Sequence, residues 1–350
     1  MNKVLTVVVP AYNMEKYLDK CLTSLILQDA DLMNQLEVLV VNDGSKDRSS
    51  EIAHGYQNRF PETFRVIDKE NGNYGSCINR GLKEAKGKYI KILDADDSFD
   101  NKSFASYIEF LELADCDMIL NDFKHVDDSG RTIRKIRHKQ PINKVFSMNG
   151  ISPRKMRTIL MHGVAYKTDI LRKMNYHQTE GISYTDMEWV FMPCSKVHTI
   201  SYFNKYLYCY LWGREGQTVD SVIHAKSISH ENRVLETMIT FYESLNDKGE
   251  ANYYLDNRLR RRLANLYKLY LLNDALSVDG LSDFDFFLKK KSPRYYDISH
   301  SFSLTWWFPF KYIKWWRLNQ NRQSLPKWCM RVYWVNSKLN SIWKRVFCEI

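Results

Sequence analysis

Three acidic residues in four positions, Asp94, Asp96 and Asp97, close the run Tyr89-Ile-Lys-Ile-Leu-Asp94-Ala-Asp96-Asp97. Carboxylates delivered to the rim of a sheet by a buried strand form a set of hard oxygen donors. Such donors suit Mg²⁺ or Mn²⁺ bound to a diphosphate, and open α/β sheets bind ligands beyond the carboxyl ends of their strands. Asp is also common at turns and helix starts, so Asp96 and Asp97 would equally serve as caps of a helix beginning near Asn101. The surrounding elements have to decide between a site and a cap.

Those elements alternate. Leu5 to Val9, Leu36 to Val41, Phe64 to Ile67 and Tyr89 to Leu93 are apolar, β-branched-rich runs of strand length. Between them, Glu15 to Leu27, Lys46 to Arg59 and Tyr74 to Lys86 can form helices. This order predicts a parallel, doubly wound sheet whose strand ends bring Tyr12, Asn13, Asp43, Asn71 and Asp94 to Asp97 into one cleft. Neither Gly-x-Gly-x-x-Gly nor Gly-x4-Gly-Lys-Ser/Thr is present, which argues against a dinucleotide fold or a P-loop.

Further on, Asp117 to Phe123 reads as a strand, and Asp127-Asp128-Ser129-Gly130 as a turn pairing Phe123 to Val126 with Thr132 to Ile136. Gly163 to Tyr166 is a short strand before a helix from Thr168 to Met174. Ser183-Tyr-Thr185-Asp186-Met-Glu188-Trp189 opens another helix, and Ile200 to Phe203 and Tyr206 to Leu211 read as two short strands. The loop Gly213 to Thr218 is polar and carries Arg214. From His224 to Asn273 the pattern is helical in two segments, joined near Asn246 to Glu250. The expected organisation is a catalytic domain over 1–222, divided near residue 100 into nucleotide and acceptor halves, then a helical extension over 223–300. A distinct segment, 301–350, completes the chain.

The chain of 350 residues is 44% hydrophobic and carries a net charge of +10. Residues 301–350 hold nine Lys or Arg against Glu349 alone, and seven of the nine tryptophans. If Trp328 to Phe347 is helical, Trp328, Val332, Val335, Leu339, Ile342 and Val346 fall close to one line, edged by Arg331, Lys338 and Arg345. Apolar and aromatic residues bordered by cations describe a helix lying on an anionic membrane surface. Docking on the protein's own core or on a partner is the competing use of this stripe. Nucleic acid is disfavoured, since no such binding motif is present. Seven scattered cysteines without a Cys-x-x-Cys pair indicate neither a disulfide framework nor a zinc site, which suits a reducing compartment. No apolar run approaches membrane-spanning length.

Taken together, VVVPAYN (Val7 to Asn13), VLVVNDGSKDRS (Val38 to Ser49) and ENGNYGSCINRGLKEAKGKYIKILDADD (Glu70 to Asp97) resemble the family-2 glycosyltransferases. The resemblance implies the GT-A fold, a mixed and mostly parallel sheet between helices, here with a C-terminal helical extension. It further implies that Pro10, Tyr12 and Asn13 line a nucleotide pocket and that Asp43 accepts from the base N–H. Asn71 belongs to the same pocket, Asp94 would lie by the ribose and diphosphate, and Asp96 would bind Mg²⁺ or Mn²⁺. His224 is a further metal candidate, and Arg214 would approach the diphosphate, whereas His162, ahead of a block that resembles the family's acceptor side, is a lone histidine of the kind more often structural than a ligand. A metal acting as Lewis acid stabilises a departing nucleoside diphosphate without proton transfer.

An acceptor hydroxyl needs a general base, and Asp186 resembles the acid that the family places at a helix start. Glu188 is its rival, because two residues apart on a helix the side chains diverge by about 200°. The expected activity is inverting transfer from a UDP-sugar to a glycan hydroxyl. The expected acceptor is a polyprenyl-diphosphate-linked saccharide of cell-surface polysaccharide synthesis, met on the inner face of the cell membrane by a peripheral cytoplasmic protein. A catalytically silent nucleotide-binding partner in a synthesis complex is the alternative from another class. A nucleotidyltransferase, which would release pyrophosphate, is a third.

Overall fold

The computed structural model describes residues 3–214, 227–273, 276–319 and 324–347, with side chains as far as 338. The chain divides into two compact units, Met1–Ile223 with Asp247–Leu255, and His224–Asn246 with Asp256–Ile350.

The first unit is built on one nine-stranded sheet: β1 (Leu5–Ala11), β2 (Leu36–Asn42), β3 (Phe64–Asp68), β4 (Tyr89–Ile92), β5 (Ser98–Phe99), β6 (Met118–Val126), β7 (Thr132–Ile136), β8 (Val164–Lys167) and β9 (Ile200–Leu211). Its order is β3-β2-β1-β4-β8-β6-β9-β5, with β7 on β6. The first four strands are parallel, as their continuous apolar runs demand, because helices cover both faces. The side chains of β2 are buried throughout, and those of β1 but for Pro10.

The sheet is mixed, as the resemblance implies: β8 runs antiparallel to both β4 and β6, while β9 returns parallel to β6. The chain leaves β6 through the β7 hairpin and re-enters through the 3-10 turn Met161–Gly163. It therefore meets the sheet from the edge where β1, β2, β4 and β6 end. Alternating strand and helix could not reveal this, since β8 is only four residues long and its direction is set by the route before it. The two short strands expected around Asn204 are one continuous strand with register shifts opposite Asp122. Asp100, rather than Asp96 or Asp97, caps the helix Asn101–Leu113, its carboxylate accepting from Lys102 N.

Close helix-to-sheet packing depends on two glycines of the helix Asn73–Glu84. A Cβ on Gly81 would lie 2.5 Å from Val8 Cγ1, and one on Gly75 would lie 2.0 Å from the Thr179 carbonyl. Gly75 thereby lets the segment leading to Asp186 cross against this helix.

The second unit is helical, with Ile228–Ser244, Asn252–Leu271 (which begins in the first unit), Asp279–Lys291, Pro293–Ser299, Tyr312–Leu318 and Lys327–Phe347. Tyr267, Leu281, Phe284, Tyr295, Tyr312 and Trp316 form its interior. Arg317 forms an ion pair with Asp285 at 2.5 Å and donates to the Tyr296 carbonyl, so this tail cation is used internally. On the last helix Cys329 and Asn336 face inward. Trp328 and Val335 of the expected stripe are 43% and 41% exposed. The side chains of Leu339, Ile342 and Val346 lie outside the described residues.

Candidate active site

The edge formed by the carboxyl ends of β1, β2 and β4 and the start of β8 gathers most of the residues with chemical potential. At the end of β1, Tyr12 is exposed, and Asn13 takes a left-handed backbone (φ 53°). Its N–H donates to Ser45 Oγ at 3.1 Å, and its side-chain oxygen accepts from Lys46 N at 2.8 Å. The loops after β1 and β2 are thus tied together. Pro10, half-buried, precedes them in β1.

Asp43 is buried where β2 ends, and its carboxylate accepts from Gly72 N at 3.0 Å and from Lys69 Nζ at 2.5 Å. Asn71 donates to the Asp43 carbonyl at 3.0 Å. Lys69 also donates to Ser76 Oγ at 2.9 Å, joining β2, β3 and the following helix at one point. The sequence gives no sign of this role for Lys69, since a lysine at a strand end reads as solvated.

Asp94 accepts a 2.8 Å hydrogen bond from the Tyr74 hydroxyl. Burial, then the Asp96 carboxylate, push the Asp94 carboxyl up to about 7, against the opposing Tyr74 hydrogen bond; Asp186 adds to the rise and Arg214 opposes it. Asp97 is buried, accepting from the Tyr208 hydroxyl at 2.7 Å and from Leu211 N at 2.6 Å. Burial and its two acidic neighbours raise it well above the carboxylate range. Asp96 is paired with the Arg214 guanidinium, which also lies over the Tyr17 ring at 5.4 Å. His224 lies outside the described residues, as do residues 215–218 of the polar loop.

The antiparallel entry of β8 places His162 beside these acids. Its register pairs Ile90 with Tyr166, and continuing it leads to His162 opposite Asp94. Ligand atoms of Asp94, Asp97 and His162 lie within 4.8 Å of one another. His162 Nδ1 is buried with no hydrogen-bond partner among the described residues. Burial, Lys91 and His125 push the imidazole down to about 3, so it is neutral and able to donate a lone pair. Two carboxylates and an unpartnered imidazole fit a divalent cation. Behind them Lys91, fully buried, donates to Asn121 Oδ1 at 2.9 Å and to the carbonyls of His162 and Val164 at 2.9 and 3.0 Å. A lysine inside an apolar strand was a signal that the sequence held, but its partners are distant in the chain.

The four-residue helix Asp186–Trp189 is pinned on both sides of Asp186. Thr185 is buried and accepts from Gln178 Nε2 at 2.9 Å, while Trp189 is buried with its ring 5.3 Å from Tyr166 and 5.6 Å from Tyr176. Tyr184, just before, has a left-handed φ of 66°, a conformation costing a non-glycine residue about 1–3 kcal/mol. Glu188 is buried, accepts from Thr179 N at 2.8 Å, and is raised chiefly by burial. Asp186 is half-exposed, and its charge contributes to raising Asp94, Tyr74 and Tyr210. The two rivals thus differ in environment, one within the field of the acidic cluster and one turned inward.

Residues 6–174 match the model of glycosyl transferase family 2. The chain is 35% identical over 132 residues to the uncharacterized glycosyltransferase EpsJ of Bacillus subtilis, covering 38% of this chain and 37% of EpsJ. It is 27% identical over 222 residues to the poly(ribitol-phosphate) beta-N-acetylglucosaminyltransferase TarS of Staphylococcus aureus, covering 62% of this chain and 37% of TarS. The chain therefore spans little more than a third of the length of either curated relative. Residues 1–349 of TarS superpose with a TM-score of 0.61 at 20% identity, covering 83% of this chain and 82% of the other. The same TarS segment bound to UDP-GlcNAc gives 0.55 at 20% identity, over 84% and 89%. The mannosyltransferase PcManGT of Pyrobaculum calidifontis, with GDP-Man and Mn²⁺, gives 0.52 at 13% identity, over 98% and 88%. These structures share the GT-A type of fold with this chain.

Proposed function

We propose that this chain, whose residues 6–174 match the model of glycosyl transferase family 2, moves a sugar from a UDP-sugar onto a glycan hydroxyl with inversion at the anomeric carbon. The observation carrying this reading is the convergence of Asp43, the Asp94 to Asp97 cluster and Asp186 on one sheet edge. The UDP-GlcNAc held by TarS supports UDP as the carrier.

In this reading Asp43, set by Lys69 and Gly72, accepts from the base, with Pro10, Tyr12, Asn13 and Asn71 around it. Asp94 lies by the ribose and diphosphate. Arg214 exchanges the Asp96 carboxylate for the donor's diphosphate, to which its planar fork is matched. A divalent cation would be held by Asp94, Asp97 and His162, and Asp96, if released by Arg214, would be a further carboxylate for it. When bound, it offsets negative charge on the departing nucleoside diphosphate. Asp186 takes the proton of the acceptor hydroxyl as that oxygen attacks opposite the leaving group. The buried Glu188 holds Thr179, and so the approach of this helix, without meeting the acceptor.

The acceptor proposed is a polyprenyl-diphosphate-linked saccharide, met by a peripheral protein at the inner face of the cell membrane. Among the described residues no helix is long and apolar enough to cross a membrane. The support for a surface role is the aromatic and basic character of 301–350, where Trp306 is 79% exposed, Trp334 is 58% exposed and Lys338 lies 3.8 Å over the Trp334 ring.

Calorimetric titration with UDP, GDP and their sugars, with Mn²⁺ and with chelator, tests the donor assignment. Uridine-selective binding weakened by chelator supports it. Binding without any sugar release across a broad acceptor panel would favour the silent module, and pyrophosphate release from a nucleoside triphosphate and a sugar phosphate would favour a nucleotidyltransferase.

A further inference from the structure

The second unit contains a cavity of about 410 Å³ whose lining includes Glu231, Arg262, Leu266, Lys268, Leu269 and Tyr333. Arg262, Leu266 and Leu269, spaced four and three residues apart, share one face of the helix Asn252–Leu271, and Lys268 lines the cavity from the adjoining side of the same helix. Glu231 comes from the helix Ile228–Ser244 and Tyr333 from the helix Lys327–Phe347.

The two cations of this cavity are not equivalent. Arg262 Nη1 lies 3.6 Å from the Glu231 carboxylate. Lys268 Nζ has neither a hydrogen bond nor an ion pair among the described residues, and instead faces the rings of Tyr312 at 5.7 Å and Tyr333 at 5.6 Å. Burial lowers its pKa, the direction expected when an ammonium loses water without gaining a counter-charge. Tyrosine faces compensate only part of that loss. The wall therefore carries one positive charge beyond the Arg262–Glu231 pair, next to an apolar floor of Leu266 and Leu269.

We propose that this cavity binds a phosphodiester, its single negative charge on Lys268 and Arg262 and its carbon substituent on the leucine floor. A monoanion matches the one uncompensated cation, whereas a dianion would meet the Glu231 carboxylate unbalanced. The source of the phosphodiester is either a membrane lipid headgroup or a soluble polyol phosphate. The site lies wholly in the second unit and does not depend on the transfer reading.

The test uses the full chain with two probes. Glycerophosphoglycerol is titrated calorimetrically, and phosphatidylcholine vesicles with and without phosphatidylglycerol are sedimented with the protein. Wild type, Lys268→Gln, Lys268→Arg and Arg262→Gln are compared, each checked by its thermal transition. Binding of the soluble probe, weakened tenfold or more in Lys268→Gln and kept within threefold in Lys268→Arg, supports the site with a soluble source. Binding only to phosphatidylglycerol vesicles, with the same variant pattern, supports it with a lipid source. Should Lys268→Gln not fold, the same tenfold loss in Arg262→Gln is the supporting result. Equal binding by wild type and the folded glutamine variants overturns the proposal, as does failure of wild type to bind either probe.

Discussion

The Tyr74 hydroxyl donates to Asp94 Oδ1 at 2.8 Å, joining the first turn of the helix Asn73–Glu84 to the acid at the end of β4. This hydrogen bond stabilises the ionised carboxylate against burial and the charges of Asp96 and Asp186, which together push Asp94 up to about 7. Tyr74→Phe should raise Asp94 further. Half-maximal activity on the acid limb then moves to higher pH, and activity at pH 7 falls by about tenfold, the equivalent of one hydrogen bond to a charged group. A pH–rate profile of the variant checks this, and an unchanged acid limb would separate Asp94 from the reaction.

Stability and function pull in opposite directions at Asp94. Its folded pKa lies above the ordinary carboxylate value near 4, so the folded state binds the extra proton. The stability contributed by the neutral form is fully present below about pH 4 and is lost as pH rises through about 7. Asp94→Asn should therefore melt higher than wild type at pH 8, by at least about 3 °C, and the gap should close towards pH 4. The same variant should lose metal-dependent activity. Thermal melts at pH 4, 6 and 8 give the measurement.

Asp186 and Glu188 should separate cleanly. Asp186→Asn removes the proposed base and should lower kcat by about 10²- to 10⁴-fold with donor affinity nearly unchanged. Glu188→Gln retains an oxygen for Thr179 N and should keep kcat within about fivefold. Single-turnover kinetics of both variants decide the matter, and the opposite pattern would transfer the role to Glu188.

His162 offers a direct test of the metal set. His162→Ala should weaken Mn²⁺ binding by roughly tenfold or more, read by titration of the ion in the absence of donor. Asp96→Ala should leave that donor-free affinity within about threefold, since Asp96 is then held by Arg214. Equal losses in the two variants would place Asp96 in the metal shell from the start.

What the sequence revealed and what it withheld follow one physical rule. Continuous apolar strands ending in Asn13, Asp43 and Asp94 are local signals, so the parallel half of the sheet and its acidic rim were readable. His162 carries little signal in the sequence because its place depends on the direction of β8, which the route through the β7 hairpin determines. The roles of Lys69 and Lys91 are not legible in the sequence, because the ties of Lys69 to Asp43 and of Lys91 to Asn121 and His162 span 26 to 71 positions. Helical spacing could separate Asp186 from Glu188 by angle, but not say which of them faced inward. That is fixed by Thr179, held against Gly75. In the tail, periodicity drew a stripe of which Trp328, Val332 and Val335 lie among the described side chains, and the inward-facing residues there are Cys329 and Asn336. It did not anticipate that Trp328 would pack on Phe308 and Phe310, with ring centroids 5.8 and 5.0 Å away.

The most direct test of the central claim is release of nucleoside diphosphate from a panel of nucleotide sugars with Mn²⁺ or Mg²⁺, comparing wild type, Asp96→Ala and Asp186→Asn. The account predicts release from a UDP-sugar by wild type, abolished by chelator and lost in both variants, with donor binding kept in Asp186→Asn. Release that persists in Asp186→Asn, or that is indifferent to chelator, would contradict it.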